Sequence, residues 1–275
     1  NVTKLTEDVV VVAHKHSPKL TPNPDTSDQI HTQLYICECG FVCPHNSFTH
    51  SICNTCHAAC THDDCDTAGR CLLCDAQSAV LVEYTDDNGL TSTKWYMKTT
   101  TEDGTDDTLQ QVFNEVKDGS TVTLLEDGLR ASGAVTGKKN ITLKLNDKRL
   151  VETATGITVD PDSTLKVTGE GSSTRPTGSK ETDNYFVFNV RGGTLKFDDN
   201  FGGTFNGIRV GSGTLTSPRE KQDAIHISIL QIDDNKAKIS FKAAAFDKIV
   251  FGGTSGSVKL GDLLGIWEDA KSNQV

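Results

Sequence analysis

TLQQVFNEVKDGSTVTLLED, residues 108–127, joins a helix signal directly to a strand signal. Its first half, 108–117, carries apolar residues at helical spacing, which predicts a short amphipathic helix. These apolar residues are Leu109, Val112, Phe113 and Val116. Asp106 or Asp107 is the candidate N-cap and Gly119 the stop signal. The stretch therefore predicts one helix that precedes a strand-rich region.

Short strand-like segments separated by turn signals follow almost to the end of the chain. The predicted strands are 121–125, 140–145, 156–159, 164–168, 185–190, 194–197, 205–210, 225–232, 238–241, 248–251 and 257–260. Apolar residues alternate in them with Thr, Lys or Ser, so one face is predicted to point inward. A phrase recurs as STLKV at 163–167, GTLKF at 193–197 and GTLT at 213–216. Such spacing is typical of solenoid turns with loops of varying length.

The stretch 108–127, with NITLKLNDKRL (140–150) and GITVDPDSTLKVTGEG (156–171), resembles the pectin-lyase-like domains of bacterial surface proteins. In those domains a capping helix precedes a D-G-x-T-V-x-L strand and an I-T-L-x-L-N-x-K-x-L coil. The resemblance covers residues 108–235 and implies an all-β chain with a right-handed parallel β-helix. A β-sandwich is the alternative fold, because it also contains regular short strands. LLGIWEDA, residues 263–270, is the candidate C-terminal cap.

The region before the helix contains a hairpin signal. Strand-like residues 80–85 and 93–98 flank DDNG at 86–89, and Trp95 and Tyr96 place one aromatic ring on each face. The predicted domains are a Cys/His module (1–77), a hairpin connector (78–107) and a β-helix with its capping helix (108–275).

Two polar segments are predicted to be loops. The first, 17–27, lies between strand-like residues 9–12 and 33–36 and contains several prolines. The second, GEGSSTRPTGSKETD at 169–183, is the longest insertion between the predicted strands.

All nine cysteines of the 275 residues lie between Cys37 and Cys74. Two units share the formula C-x-H-x(7 or 8)-C-x-x-C, and each supplies the Cys3His set of a structural zinc site. Their ligands are Cys43, His45, Cys53 and Cys56 in the first unit, and Cys60, His62, Cys71 and Cys74 in the second. Disulfides are the competing explanation, but nine is odd and disulfides do not require matched histidines. Cys65 is left over, and so are His31, His50 and His57.

A third metal site is a further hypothesis. His14 and His16 would meet Cys37 and Cys39 if the strands at 9–12 and 33–36 paired. The alternative is that both histidines are ordinary exposed residues.

The Cys/His units resemble small repeats in large surface proteins of Gram-positive bacteria. His14-x-His16 followed by Cys37-x-Cys39-Gly40 resembles another module of those proteins. His57 and Asp75 stand where a glycine usually follows C-x-x-C, and in this the chain departs from the pattern of those repeats. The resemblance implies an extracellular protein, secreted or attached to the cell wall, with further domains.

The net charge of the chain bears on which class of macromolecule it can bind. The net charge of −10 and pI near 5.2 disfavour binding to nucleic acid. No apolar run is long enough to span a membrane.

Catalysis requires carboxylates or bases at suitable spacing, since lyases and glycoside hydrolases share the β-helix fold. The candidate acids are Asp160, Asp162, Asp198, Asp199, Asp233 and Asp234, and other candidates are Arg191, Arg209 and His226. Their positions in turns and on outward faces favour ordinary polar roles. We therefore expect a non-catalytic adhesin or ligand-binding β-helix whose partner is a host surface protein or a polysaccharide. The alternatives are a polysaccharide-cleaving enzyme and a purely structural spacer.

Overall fold

A computed structural model describes residues 19–22, 33–36, 48–49, 52–53, 65–66, 68–72, 75–180, 184–218, 225–234 and 236–252. The chain divides into two compact units. One comprises Asn1–His62 with Leu72–Asp75, and the other comprises Asp63–Cys71 with Ala76–Val275.

The described residues of the first unit form two antiparallel strand pairs. β1 (Lys19–Pro22) pairs with β2 (Gln33–Ile36), and β3 (Phe48–Thr49) pairs with β4 (Ile52–Cys53). The strand predicted at 33–36 is confirmed. The loop predicted at 17–27 is wrong for residues 19–22, because a proline at the end of a strand does not prevent pairing. The strand predicted at 9–12 lies outside the described residues.

The described part of the second unit contains one helix and seventeen strands. They are β5 (Ser78–Thr85), β6 (Thr91–Met97), α1 (Thr108–Glu115), β7 (Thr121–Leu124), β8 (Leu129–Arg130), β9 (Ala134–Val135), β10 (Asn140–Lys144), β11 (Lys148–Val151), β12 (Ile157–Val159), β13 (Thr164–Thr168), β14 (Glu170–Thr174), β15 (Phe188–Val190), β16 (Thr194–Phe197), β17 (Gly202–Val210), β18 (Gly213–Ser217), β19 (Ile225–Ile232), β20 (Ala237–Phe241) and β21 (Ala245–Phe251).

The strands after α1 stack into a parallel β-solenoid of about five turns. The first face consists of β7, β10, β13, β16, β18 and β20. The second consists of β8, β11, β14 and the first parts of β17, β19 and β21. The third consists of β9, β12, β15 and the second parts of those long strands. This parallel stacking confirms the parallel β-helix and excludes the β-sandwich, whose sheets are antiparallel.

Strand register keeps the apolar residues of successive turns in line. On the first face one inward column contains Ile141, Leu165, Leu195, Leu215 and Ile239, all at most 5% exposed. Each fully buried aliphatic side chain contributes about 1.5–3 kcal/mol relative to exposure. The core therefore runs along the solenoid interior, and the alternate residues of each strand face outward.

The hairpin and the helix close the N-terminal end of the solenoid. β5 pairs antiparallel with both β6 and β7, so the hairpin belongs to the first face. α1 buries Leu109, Val112 and Phe113 against this end and contacts β8 and β9. Asp107 occupies the N-cap position without a side-chain cap, while Asp106 Oδ1 accepts a bond from the Thr108 amide at 3.0 Å.

The predicted loop at 169–183 is wrong in its first part, which forms β14. Its sequence, EGSST, has no apolar residue. The strand forms because its backbone pairs with β11 on one side and β17 on the other, and Ser173 faces the interior as a hydrogen-bond donor. Backbone pairing here decides the structure.

The solenoid continues beyond residue 235, where the sequence resemblance ends. β20 and β21 add parallel partners to β18 and β19. The strand predicted at 257–260 and the cap predicted at 263–270 lie outside the described residues. None of the described helices has the length and apolar character needed to cross a membrane.

Candidate ligand-binding surfaces

The outward side of the first face carries an ordered array of hydroxyl and ammonium groups. From β10 to β20 its outward residues are Asn140, Thr142, Lys144, Thr164, Lys166, Thr168, Thr194, Lys196, Thr214, Thr216, Lys238 and Ser240. We call this set the Thr/Lys face. Its five strands span about 19 Å at the usual spacing between neighbouring strands.

The Thr/Lys face is cationic within an acidic protein. Four of its residues are lysines and none is a carboxylate. Lys166 and Lys196 are direct cross-strand neighbours, and Lys166 Nζ lies 3.0 Å from Asp198 at the edge of the face. Burial opposes ionisation of Asp198, but the Lys166 contact and a backbone hydrogen bond outweigh burial and lower its pKa. Across the described residues, the other three lysines of the face form no salt bridge.

The carboxylates considered for catalysis have structural contacts. Asp160 lies 3.8 Å from Arg191, and Asp233 forms a short ion pair with Arg209. Asp234 Oδ1 accepts a bond from the Lys236 amide at 2.9 Å.

The remaining catalytic candidates lie in turns or on the outward side of a strand. Asp162 adopts a left-handed turn conformation with φ of 61°, and Asp199 is exposed in the turn after β16. His226 Nε2 lies 2.8 Å from Asp247 Oδ1 on the outward side of β19. The structure therefore distributes these residues over several turns and does not gather them into one cluster.

The described cysteines lie beside the hairpin. Cys65 and Cys71 form an antiparallel backbone bridge, Cys71 is buried, and Cys65 Sγ is 3.7 Å from Ser78 Oγ. The Cys71 amide donates to Ala76 O at 2.8 Å, and Asp75 has φ of 60°. Asp75 thus adopts the left-handed conformation that a glycine would adopt more easily.

The side chains of the other predicted metal ligands lie outside the described residues. They are His14, His16, Cys37, Cys39, Cys43, His45, Cys53, Cys56, Cys60, His62 and Cys74. In the described part of the chain, no three His, Cys, Asp or Glu side chains are grouped to hold a metal ion. The zinc sites stay a prediction.

A second surface, which the sequence did not reveal, is a cleft of about 220 Å³ between the hairpin and the end of α1. We call it the hairpin cleft. Its lining residues are Val82, Tyr84, Ser92, Thr93, Lys94, Tyr96, Glu115, Val116, Lys117 and Ser120. Lys94 and Tyr96 alternate on one face of the strand predicted at 93–98, but this pattern does not point to Glu115 or Lys117.

The polar groups of the hairpin cleft are connected. Glu115 Oε2 accepts bonds from Lys94 Nζ at 2.5 Å and from the Tyr96 hydroxyl at 2.9 Å. The bond from Lys94, followed by that from Tyr96, lowers the pKa of Glu115. Burial is the main cause that raises the pKa of Tyr96. Lys117 Nζ lies 4.7 Å above the centre of the Tyr84 ring.

A buried carboxyl group in the solenoid was also not identified from the sequence. Glu152 Oε1 accepts bonds from Ser173 Oγ at 2.6 Å and from the Gly207 amide at 2.8 Å. Its Oε2 is buried and has no hydrogen-bond partner in the described residues. Burial is the largest influence and raises the pKa of Glu152.

Comparison with known proteins does not assign a family. No protein-family model, no curated protein and no solved structure matches this chain.

Proposed function

We propose that this chain is a non-catalytic, ligand-binding region of a bacterial cell-surface protein and that it binds an acidic polysaccharide. The observation that carries the proposal is the Thr/Lys face. It combines four lysines with rows of hydroxyl groups on one regular surface.

The chemistry of the Thr/Lys face suits an extended anionic polymer. Threonine hydroxyls both donate and accept hydrogen bonds, as sugar hydroxyls do. The ammonium groups of Lys144, Lys196 and Lys238 are exposed and available to pair with acidic groups. Although the protein as a whole carries a net charge of −10, this local cationic surface favours an anionic ligand at the Thr/Lys face.

The arrangement of the carboxylates supports binding without cleavage. Hydrolysis of a glycoside requires two carboxylates about 5–10 Å apart on either side of the bond. Asp160, Asp198 and Asp233 are instead engaged with Arg191, Lys166 and Arg209. A polysaccharide-cleaving enzyme and a spacer are the alternatives.

Structural zinc is a separate part of the proposal and rests on the Cys3His spacing. Two zinc ions would order the Cys/His module, and His14, His16, Cys37 and Cys39 would form a third site. The left-handed Asp75, directly after C-x-x-C, supports a tight turn there. Metal analysis of protein purified without added zinc should give at least two zinc ions per chain. Fewer than two, with oxidised thiols, would favour disulfides.

The binding proposal is tested with immobilised hyaluronate and polygalacturonate, with neutral dextran as the control polymer. We expect binding to the acidic polymers that weakens as salt is raised. Replacing two available cations of the face, in Lys144→Met/Lys196→Met, should reduce affinity about tenfold, which is about 1.4 kcal/mol. Lys236→Met/Lys248→Met removes the same charge outside the face and should have little effect.

Three results would overturn the binding proposal. Release of oligosaccharides from either polymer would establish catalysis. Absence of binding to both acidic polymers would favour a spacer. Equal loss of affinity in the two double variants would show that net charge, and not the Thr/Lys face, governs binding.

A further inference from the structure

We propose that the hairpin cleft is a second binding site, one that takes a single sugar-acid residue. The inference is independent of the proposed polymer binding, because the two sites use opposite sides of the sheet. In the pairing of β5 with β7, Val82 lies opposite the buried Val122, whereas Glu83 lies opposite Thr121. The cleft therefore opens on the core side of the sheet, where the hairpin extends past the solenoid.

Two tyrosine rings and a lysine lie on that side of the hairpin. Tyr84 is paired with Ser92, and Lys94 is paired with Val82. Tyr96 lies two residues beyond Lys94 and thus on the same face. Aromatic rings that combine with a few placed polar groups are typical of small-molecule sites. Lys94 Nζ lies 4.6 Å from the centre of the Tyr96 ring, and Lys117 Nζ lies 4.7 Å from the centre of the Tyr84 ring. Each ring can therefore meet the C–H groups of a pyranose ring only with its other face or its edge, and the Tyr96 hydroxyl keeps its bond to Glu115.

The charges of the hairpin cleft favour an acidic ligand. Glu115 neutralises Lys94 through a direct bond of 2.5 Å. Lys117 is exposed, contacts the Tyr84 ring and has no carboxylate within salt-bridge distance among the described residues. The Lys117 ammonium group, which also acts electrostatically on Asp86 beyond salt-bridge distance, can pair with a ligand carboxylate, while Glu115 accepts hydrogen bonds from ligand hydroxyls.

Ser120 supplies an independent indication of a missing partner. Its side chain is fully buried at the cleft, and its Oγ has no hydrogen-bond partner in the described part of the chain. A buried hydroxyl without a partner is unfavourable by about 1–3 kcal/mol. A ligand hydroxyl that reaches the base of the cleft would satisfy it.

The size of the cleft limits the ligand. A volume of about 220 Å³ lies below the usual range for drug-sized ligands and suits one sugar residue. Such a small ligand is expected to bind with a Kd of about 1 mM. The predicted class is therefore a hexuronic acid or a similar carboxylate-bearing monosaccharide.

The test is a titration of the isotope-labelled full chain with D-glucuronate, followed by NMR, with D-glucose as the neutral probe. Backbone amide signals of β6 and of the end of α1 should shift saturably with glucuronate, and glucose should bind at least about fivefold more weakly. Lys117→Met keeps the aliphatic stem over Tyr84 and should reduce glucuronate affinity to the level of glucose. Ser120→Ala should weaken both sugars without loss of thermal stability, because it removes a hydroxyl that has no hydrogen-bond partner among the described residues. Lys236→Met, an exposed lysine elsewhere, should bind glucuronate as the parent does.

The proposal is overturned if no saturable shift occurs up to about 20 mM glucuronate, a limit well above the expected Kd. Equal binding of the two sugars, or equal loss in the Lys117 and Lys236 variants, also rejects it. The polymer assay remains a separate test, since its variants lie on the opposite side of the sheet.

Discussion

Within the residues that the structure describes, the two ends of the solenoid are covered to different degrees. At the N-terminal end α1 and β5 cover the first turn, and Leu109, Val112 and Phe113 are at most 1% exposed. At the C-terminal end Phe246 and Ile249 pack against the core yet are only partly buried, and Phe251 is 40% exposed. Every turn of a solenoid buries its neighbour, so the last turn depends on a cap. The first cap is adjacent in sequence to the turn that it covers.

The interior also changes from one end to the other. The first two turns are filled by aliphatic residues such as Leu124, Ile141 and Leu150. Later turns are filled by a phenylalanine cluster consisting of Phe188, Phe197, Phe201 and Phe205, with neighbouring ring centroids 4.6–6.2 Å apart. Each aromatic pair contributes about 0.5–1.5 kcal/mol beyond its burial. The C-terminal turns thus combine a strong interior with a partly exposed end.

The largest expected effect is a difference between the two ends in the free energy of unfolding that a mutation removes. Phe113→Ala should lower the free energy of unfolding by about 3–5 kcal/mol, because it removes a fully buried ring from the N-terminal cap. Phe246→Ala removes a ring that is already partly in water, and should cost about 1–2 kcal/mol. Urea unfolding followed by circular dichroism measures both. Equal losses would mean that the two ends are equally covered in solution.

A matched pair of glycines tests the same contrast with smaller changes. Gly133 has φ of 109°, and an added Cβ would lie 2.8 Å from Phe113 Cδ2. Gly252 has φ of 135°, but no atom of the described residues lies within 4 Å of its added Cβ. Gly133→Ala should therefore cost about 2–3 kcal/mol from backbone strain plus crowding, and Gly252→Ala about 1 kcal/mol from strain alone. Thermal unfolding of the two variants measures this difference, and a greater loss at Gly252 would contradict it.

The sequence predicted the elements whose signal is local. The helix at 108–115 follows from the spacing of its apolar residues, and β13 and β19 match the predicted strands at 164–168 and 225–232. β8 and β9 have two residues each, too few to show a period. β14 was missed because its strand character comes from neighbours on both sides.

The sequence could predict a site only where the residues that form it are close together along the chain. The outward Thr and Lys residues were visible as an alternation within each strand, but their alignment into one face depends on register between turns. Tyr96 and Glu115 are 19 residues apart, and Glu152 and Gly207 are 55 residues apart. No local pattern connects such pairs, so neither the hairpin cleft nor the buried carboxyl group could be derived before the fold.

The smallest predicted effect concerns Glu152, which lies between the two ends and makes stability depend on pH. Burial raises the pKa of Glu152 above its ordinary value of 4.5, so the folded protein holds this proton more tightly than the unfolded chain does. The stabilisation that this proton gives is fully present below pH 4.5 and is lost as the pH rises through the raised pKa. Glu152→Gln mimics the protonated group and does not titrate. It should therefore be about 1 kcal/mol more stable than the parent at pH 7, and this advantage should shrink towards pH 4.5.

The difference between parent and variant in the free energy of unfolding isolates the contribution of Glu152. Glu115 and Asp198, whose pKa values are lowered, make both proteins less stable in acid, and their contribution cancels in the difference. Glu170→Gln, at an exposed carboxylate, is the matched control for loss of a charge. Urea unfolding at pH 7, 6, 5 and 4.5 measures the differences. If Glu152→Gln is less stable than the parent at pH 7, the ionised carboxylate is a net stabilising group, and the middle of the solenoid contains no acid-favoured site between its two unequal ends.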